Sequence, residues 1–180
     1  MNKQKKGNTM NGKETMIMHH LKGRDIVNER VLEAMKEVKR ELFVPEGLKY
    51  RAYEDSPLPI GREQTISQPF IVAYMAQVLD PQPNEKVLEV GSGCGYNAAV
   101  LAQLSAHVYS VEIIKWLADL AQMNLREAGV ENVAVKYGDG YHGWPENAPF
   151  DKIMLTAATP MIPDELKEQL KTGGKILAPI

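Results

Sequence analysis

The stretch "EQTISQPFIVA", Glu63 to Ala73, sets Thr65, Ser67 and Gln68 ahead of Pro69 and an apolar run. Ser67 has two readings there. Its hydroxyl can cap a helix by accepting from the Phe70 N–H, with Pro69 in the first turn where no donor is needed, or it can stand at a reacting centre. The roles are compatible, because a hydroxyl keeps one hydrogen to donate after its lone pairs accept. A second group is "VLEVGSGCG", where Gly91, Gly93 and Gly95 let a backbone turn tightly and a ligand come close. Such a loop also fits a bare structural turn. Glu112, at the end of the following apolar run, is placed for its carboxylate to accept both hydroxyls of a ribose; its bland reading is a solvated strand-end charge. Asp139, in "GDG", reads on its own as a turn aspartate.

The elements that would hold these groups alternate. "KVLEV" (86–90), "HVYSVE" (107–112), "VAVKY" (133–137) and "DKIMLTA" (151–157) read as buried strands, and "KILAPI" begins a fifth. Helices are expected after the glycine loop, over "IIKWLADLAQMNLREAG" with Gly129 as C-cap, and over "PDELKEQLKTGG" with a glycine stop. Trp116, Leu120 and Met123 have helical spacing and are expected in the core. Two earlier helices are expected, one from Asn28 toward Leu42 and one from about Gln68 to Leu79, separated by an extended loop over 50–64. Alternation of this kind gives an α/β domain with a mostly parallel sheet, helices on both faces and a ligand at the carboxyl ends of the strands.

A chain of 180 residues with a formal net charge of -2 fits one domain and offers no global field for nucleic acid or a membrane surface. The single cysteine, Cys94, excludes an internal disulfide and fits a reducing, cytoplasmic setting. It has no partner at metal-ligand spacing and reads as a small filler, so no metal is expected. Residues 1–25 lack the apolar core of a secretory signal and read as a flexible tail, leaving 26–180 as the domain. His19 and His20 fall in that tail, and His107 and His142 read as surface or supporting groups.

The nicotinamide fingerprint would need glycine where Tyr96 stands. The Gly91 to Gly95 spacing followed by an acid resembles instead the class I, Rossmann-like S-adenosylmethionine-dependent methyltransferases. In that class an acid after the third strand accepts the adenine amino group, which turns the preferred reading of Asp139. Within the class, "RVLEAM", "FVP", "LPIG", "QTISQP", "VLEVGSGCGYNAAVLA", "GDG", "PFDKIMLTAA" and "GGKILAPI" resemble the protein-L-isoaspartate O-methyltransferases in order and spacing, from about Val27 to the end. The resemblance implies S-adenosyl-L-methionine as cofactor and methylation of the free carboxylate of L-isoaspartyl residues in damaged proteins and peptides, by a monomer. It implies Ser67 as the active-site serine and Gln64, Thr65, Ile66, Gly91, Gly93, Gly95, Glu112, Ile113, Asp139 and Gly140 as donor-binding residues. Ser67, Thr156, Ala157 and Ala158 would admit the peptide.

The chemistry fits a site without a strong base. A sulfonium methyl is already electrophilic, and a carboxylic acid of pKa about 4 is already ionised at neutral pH. The expected role of Ser67 is therefore to align the nucleophile. Two departures from the family pattern stand out. Glu63 occupies a position where the family has glycine, and the chain ends at Ile180 in a strand beyond which the family adds further strands. The competing readings are a related methyltransferase with another acceptor and a non-catalytic donor-binding module.

Overall fold

The computed structural model describes residues 11–179 and, among them, separates a two-stranded antiparallel hairpin from a parallel sheet. The hairpin is β1 (Leu58–Gly61) and β2 (Gln64–Ile66). The sheet contains β3 (Lys86–Val90), β4 (His107–Glu112), β5 (Val133–Tyr137), β6 (Phe150–Leu155) and β7 (Leu170–Leu177). Its order is β5–β4–β3–β6–β7, every neighbouring pair parallel. From β3 the chain winds outward through β4 and β5, then returns across β3 to form β6. The connections on either side of β3 thus diverge at its carboxyl end, and a crevice opens there.

Helices cover both faces of the sheet. Side chains alternate along a strand, so Val87, Val108 and Met154 pack on one face against Leu79, Ala98 and Leu101. Leu88, Ile153 and Phe150 pack on the other against Leu166. The helices involved are α3 (Pro69–Leu79), α4 (Tyr96–Ala102), α5 (Lys115–Glu127) and α6 (Asp164–Glu168), following α1 (Gly12–Thr15) and α2 (Glu29–Glu37). Asn28 caps α2 by accepting from the Arg30 and Val31 N–H groups.

Several expectations are corrected. The tail expected over 1–25 is folded from Asn11 onward. Asn11 and Glu14 form a capping box at α1, a π turn follows over Met16–Leu21, and the side chains of Met16 and Leu21 are fully buried. Residues 1–10 lie outside the described part. The extended loop expected over 50–64 instead holds the end of a 3₁₀ turn (Glu46–Arg51) and all of β1. The last helix stops at Glu168, because Gln169 donates to the His142 and Glu165 carbonyls and accepts from the Trp144 N–H. The glycines expected as its stop lie inside β7, where the register with β6 shifts and a Cβ on Gly174 would come within 2.8 Å of the Asp151 carbonyl. On α5 the buried stripe is Leu117, Ala118, Ala121 and Leu125, which leaves Trp116 and Met123 exposed and Leu120 half-buried. Trp116 instead supports the hairpin tip: an added Cβ at Gly61 would lie 3.1 Å from its ring, and the Arg62 guanidinium stands 5.6 Å from its centroid.

The tip consists of Arg62 and Glu63, at φ 53° and 58°. Two consecutive left-handed residues are what a two-residue hairpin turn of the matching twist requires, and glycine is favoured in the second place. Glu63→Gly is expected to raise the unfolding free energy by roughly 0.5–1 kcal/mol, the left-handed strain relieved less the extra chain entropy of glycine. A higher urea midpoint at unchanged slope is the measurement that checks it.

Candidate active site

The turn after β3 is shaped by what stands where its side chains would be. Gly91 has φ 99°, and a Cβ there would lie 2.2 Å from the Thr156 hydroxyl oxygen. That hydroxyl donates to the Gly91 and Val90 carbonyls at 2.8 and 3.0 Å, joining the end of β6 to the loop. Gly93, at φ 52°, gives its N–H to Glu112 Oε2 at 2.8 Å, and Glu112 Oε1 accepts from the Ile114 N–H at 3.0 Å. Each carboxylate oxygen is thereby held in place with lone-pair capacity left over. Glu112 is almost wholly buried and lines the crevice. This is a fixed acceptor pair facing a loop in which Gly91 and Gly93 carry no side chain, which suits a ribose diol laid over the loop.

One cleft of about 630 Å³ runs along the ends of β5, β4, β3 and β6. At the β5 end are Asp139, Gly140 and Tyr141; then come Glu112 and Ile113, the glycine loop, and finally Thr156, Ala157 and Ala158. Gln64, Thr65, Ile66 and Ser67 line it from the hairpin and the approach to α3. Asp139 has the tight turn of its simpler reading, its Oδ1 accepting from the Tyr141 N–H at 2.9 Å, and the residue also borders the cleft. Gly140 passes so close to Val90 that a Cβ would lie 2.3 Å from its methyl carbon.

Gly95 is the predicted site residue that does not border this cleft. At φ 89° it opens α4, and a Cβ would meet the Ala121 carbonyl and the Leu125 side chain at 3.2 Å, so its job is the packing of α4 on α5. Ser67 is not the helix cap. Pro69 is the first residue of α3, and Gln68 holds the cap position with its amide donating to the Asp55 carbonyl at 3.1 Å. The Ser67 side chain, half-buried on the cleft wall, is therefore not committed to the Phe70 N–H. Thr156 borders the cleft with its hydroxyl hydrogen already engaged by the loop carbonyls, so it braces the site. Cys94 is buried, and burial pushes its thiol up to about 11, in keeping with a filler.

Residues passed over in the sequence complete the lining. Met75, Leu117 and Tyr141 supply apolar wall, and Asn97 and Ser92 carry polar atoms. The last two join a buried network. Asn97 Nδ2 donates to Glu89 Oε1 at 2.7 Å, the Ser110 hydroxyl is bonded to Glu89 Oε2, and the Ser92 and Ser110 hydroxyls are 2.6 Å apart. The readable signal was an acid in the middle of "KVLEV", in a strand with both faces covered.

Comparison with known proteins agrees with this geometry. The family model for protein-L-isoaspartate(D-aspartate) O-methyltransferase matches residues 11–180. A protein-L-isoaspartate O-methyltransferase of Opitutus terrae is 51% identical over 170 residues, covering 94% of this chain and 73% of the relative. One from Methanothrix thermoacetophila is 54% identical over 160 residues, covering 87% and 76%. A solved protein-L-isoaspartate O-methyltransferase superposes with TM-score 0.84 at 34% identity, covering 93% of this chain and 55% of that one. A Plasmodium falciparum structure described as the same enzyme in complex with S-adenosyl-L-homocysteine gives TM-score 0.81 at 26% identity, covering 95% and 84%. The fold is that of the Rossmann-like, class I S-adenosylmethionine-dependent methyltransferases.

Glu89 gives the fold a pH signature. Burial pushes its pKa from the usual 4.5 up to about 7; the hydrogen bonds from Ser110 and Asn97 oppose the rise, and the nearby Glu112 charge adds to it. Between about pH 4.5 and 7 the folded chain keeps a proton that the unfolded chain has released, so stability falls as pH rises through this window and levels off above it. Glu89→Gln is expected to flatten that slope, removing a loss on the order of 3 kcal/mol. Urea unfolding of both proteins at pH 5 and pH 8 checks this; parallel shifts would rule it out.

Proposed function

The chain belongs to the protein-L-isoaspartate(D-aspartate) O-methyltransferase family, and we propose that it performs the reaction of that family through the cleft described above. S-adenosyl-L-methionine is the methyl donor, and the acceptor is the free carboxylate of an L-isoaspartyl residue in a damaged protein or peptide. The observation that carries the reading is the continuity of the cleft: the ribose-type acceptor Glu112 and the glycine loop share one space with Ser67 and the rim at Ala157 and Ala158.

The residues fit the donor. Glu112 offers one oxygen to each ribose hydroxyl, with Gly93 and Ile114 holding the carboxylate still. Asp139 is placed for the adenine amino group and Ile113 and Tyr141 for the ring faces, while Gly91 leaves the loop open to the amino-acid arm. Gln64, Thr65 and Ile66 close the cleft from the hairpin side. When bound, the donor supplies a methyl on a cationic sulfur.

At the acceptor end, no side chain has to remove a proton. An anion approaches a cation and both charges fade on the way to the transition state, so excluding water favours the reaction more than strong donors would. Met75, Val72 and Leu117 give the cleft apolar wall. Ser67 orients the carboxylate with a single hydrogen bond from an uncharged donor, which holds the anion in the ground state less tightly than a cationic partner would. Ala157 and Ala158 are small and exposed, leaving room for an extended peptide at the end of β6. Among the described residues no helix is long and apolar enough to cross a membrane. The reading is of a monomer working in the cytoplasm.

Ser67→Ala is expected to leave donor affinity within about twofold and to lower turnover of an isoaspartyl peptide at least tenfold. Calorimetry with S-adenosyl-L-homocysteine and a methyl-transfer assay measure the two quantities. Equal transfer to isoaspartyl and ordinary aspartyl peptides would overturn the acceptor, and donor binding without any transfer would overturn the enzyme.

A further inference from the structure

Asn97 is the second residue of α4, half-buried, and it borders the cleft where the helix leaves the glycine loop. Its side chain is oriented from behind. Nδ2 lies 2.7 Å from Glu89 Oε1 and 3.2 Å from the Met154 sulfur, and Glu89 is fully buried. Glu89 Oε1 accepts whether the carboxyl is ionised or carries its proton on Oε2 toward Ser110, and a thioether is a weak acceptor, so the amide meets both with its NH₂ end. Both hydrogens are then engaged. The carbonyl Oδ1 is left as an acceptor with no role in the buried network, on a residue that lines the cleft.

The sequence of groups along the cleft says what that acceptor meets. The order Asp139, Glu112, glycine loop, Thr156 follows the strand order β5, β4, β3, β6. With the base at Asp139 and the ribose at Glu112, the donor's amino-acid arm comes to lie over the loop after β3, beside Asn97. That arm carries one strong cationic donor group, the α-ammonium.

Building on the methyl-donor reading above, we propose that Asn97 is a donor-binding residue whose Oδ1 accepts from the α-ammonium of S-adenosylmethionine, and that Glu89 is the positioning residue which fixes the amide in that orientation. The two carboxylate oxygens divide the labour: Oε1 turns Asn97, while Oε2, through Ser110, is linked to Ser92 in the loop itself. Hydrogen bonds in such a chain polarise one another, so the amide oxygen becomes a stronger acceptor than an isolated asparagine would provide.

The test is a binding cycle by titration calorimetry, using S-adenosyl-L-homocysteine, its analogue lacking the α-amino group, and 5′-methylthioadenosine, which lacks the whole arm. In the unaltered chain, removing the amino group is expected to weaken binding about tenfold or more, the range for a hydrogen bond to a charged group. Asn97→Leu should weaken S-adenosyl-L-homocysteine by a similar factor, yet leave the desamino analogue and 5′-methylthioadenosine within about twofold, so the two losses are not additive. Equal affinity of the unaltered chain for the amino and desamino ligands overturns the assignment without any variant. An equal loss for all three ligands in Asn97→Leu, repeated in the milder Asn97→Ser, also overturns it, because it marks a purely structural residue. If the unaltered chain binds none of the three, the methyl-donor reading itself fails, a result distinct from the loss of discrimination alone.

Discussion

The grip of Glu112 on the backbone N–H groups of Gly93 and Ile114 is the constraint on which the site depends. One carboxylate ties the turn after β3 to the turn after β4, across the pair of strands that stand at the centre of the sheet. Charge-assisted bonds from backbone donors are short and directional. They fix the glycine loop relative to the next strand more tightly than sheet pairing alone, because that pairing ends at Val90 and Val111. Thr156 does the same from the other side by donating to the Gly91 carbonyl. The loop is thus held from both neighbouring strands, and the missing side chains of Gly91 and Gly93 become a defined empty volume.

This division explains which parts of the site were legible in the sequence. The spacing of Gly91, Gly93 and Glu112 reports backbone geometry and a strand end, both local properties, and the structure brings these residues together at one cleft. Gly95 looked the same in the sequence but serves packing against Ala121 and Leu125. A glycine signals that a Cβ has no room; it does not say whether a ligand or a helix occupies the space. Asn97 and Ser92 escaped notice because their roles exist only across elements, through a glutamate on one strand and a serine on the next.

The other differences between sequence pattern and structure share a physical origin. Helical periodicity identifies a stripe on α5 but not which side faces the sheet, so Trp116 was placed in the core when it stands under the hairpin tip. The sequence favours a helix start at Gln68, one residue before the observed Pro69, because a serine is the better capping side chain. A proline at the first helical position offers no N–H there, and Gln68 turns its amide to the Asp55 carbonyl instead. The N-terminal segment did carry a readable signal, Asn11 and Glu14 at capping-box spacing ahead of Met16 and Leu21, which its polar composition obscured.

The buried Glu89 raises a question of design, since an apolar residue in a strand covered on both faces would avoid its desolvation entirely. An apolar side chain would fill the volume. It would also leave Asn97 free to turn and Ser110 without its acceptor, so the loop and the first turn of α4 could settle in more than one arrangement. A reaction in which opposite charges fade gains little from strong permanent donors and much from exact placement of two reactants in a dry cleft. For such chemistry, a buried network that satisfies the oxygens of Glu89, Ser110 and Ser92 and leaves only the Asn97 amide oxygen to the cleft is worth its desolvation, because it specifies the shape of the cradle from behind the reacting atoms.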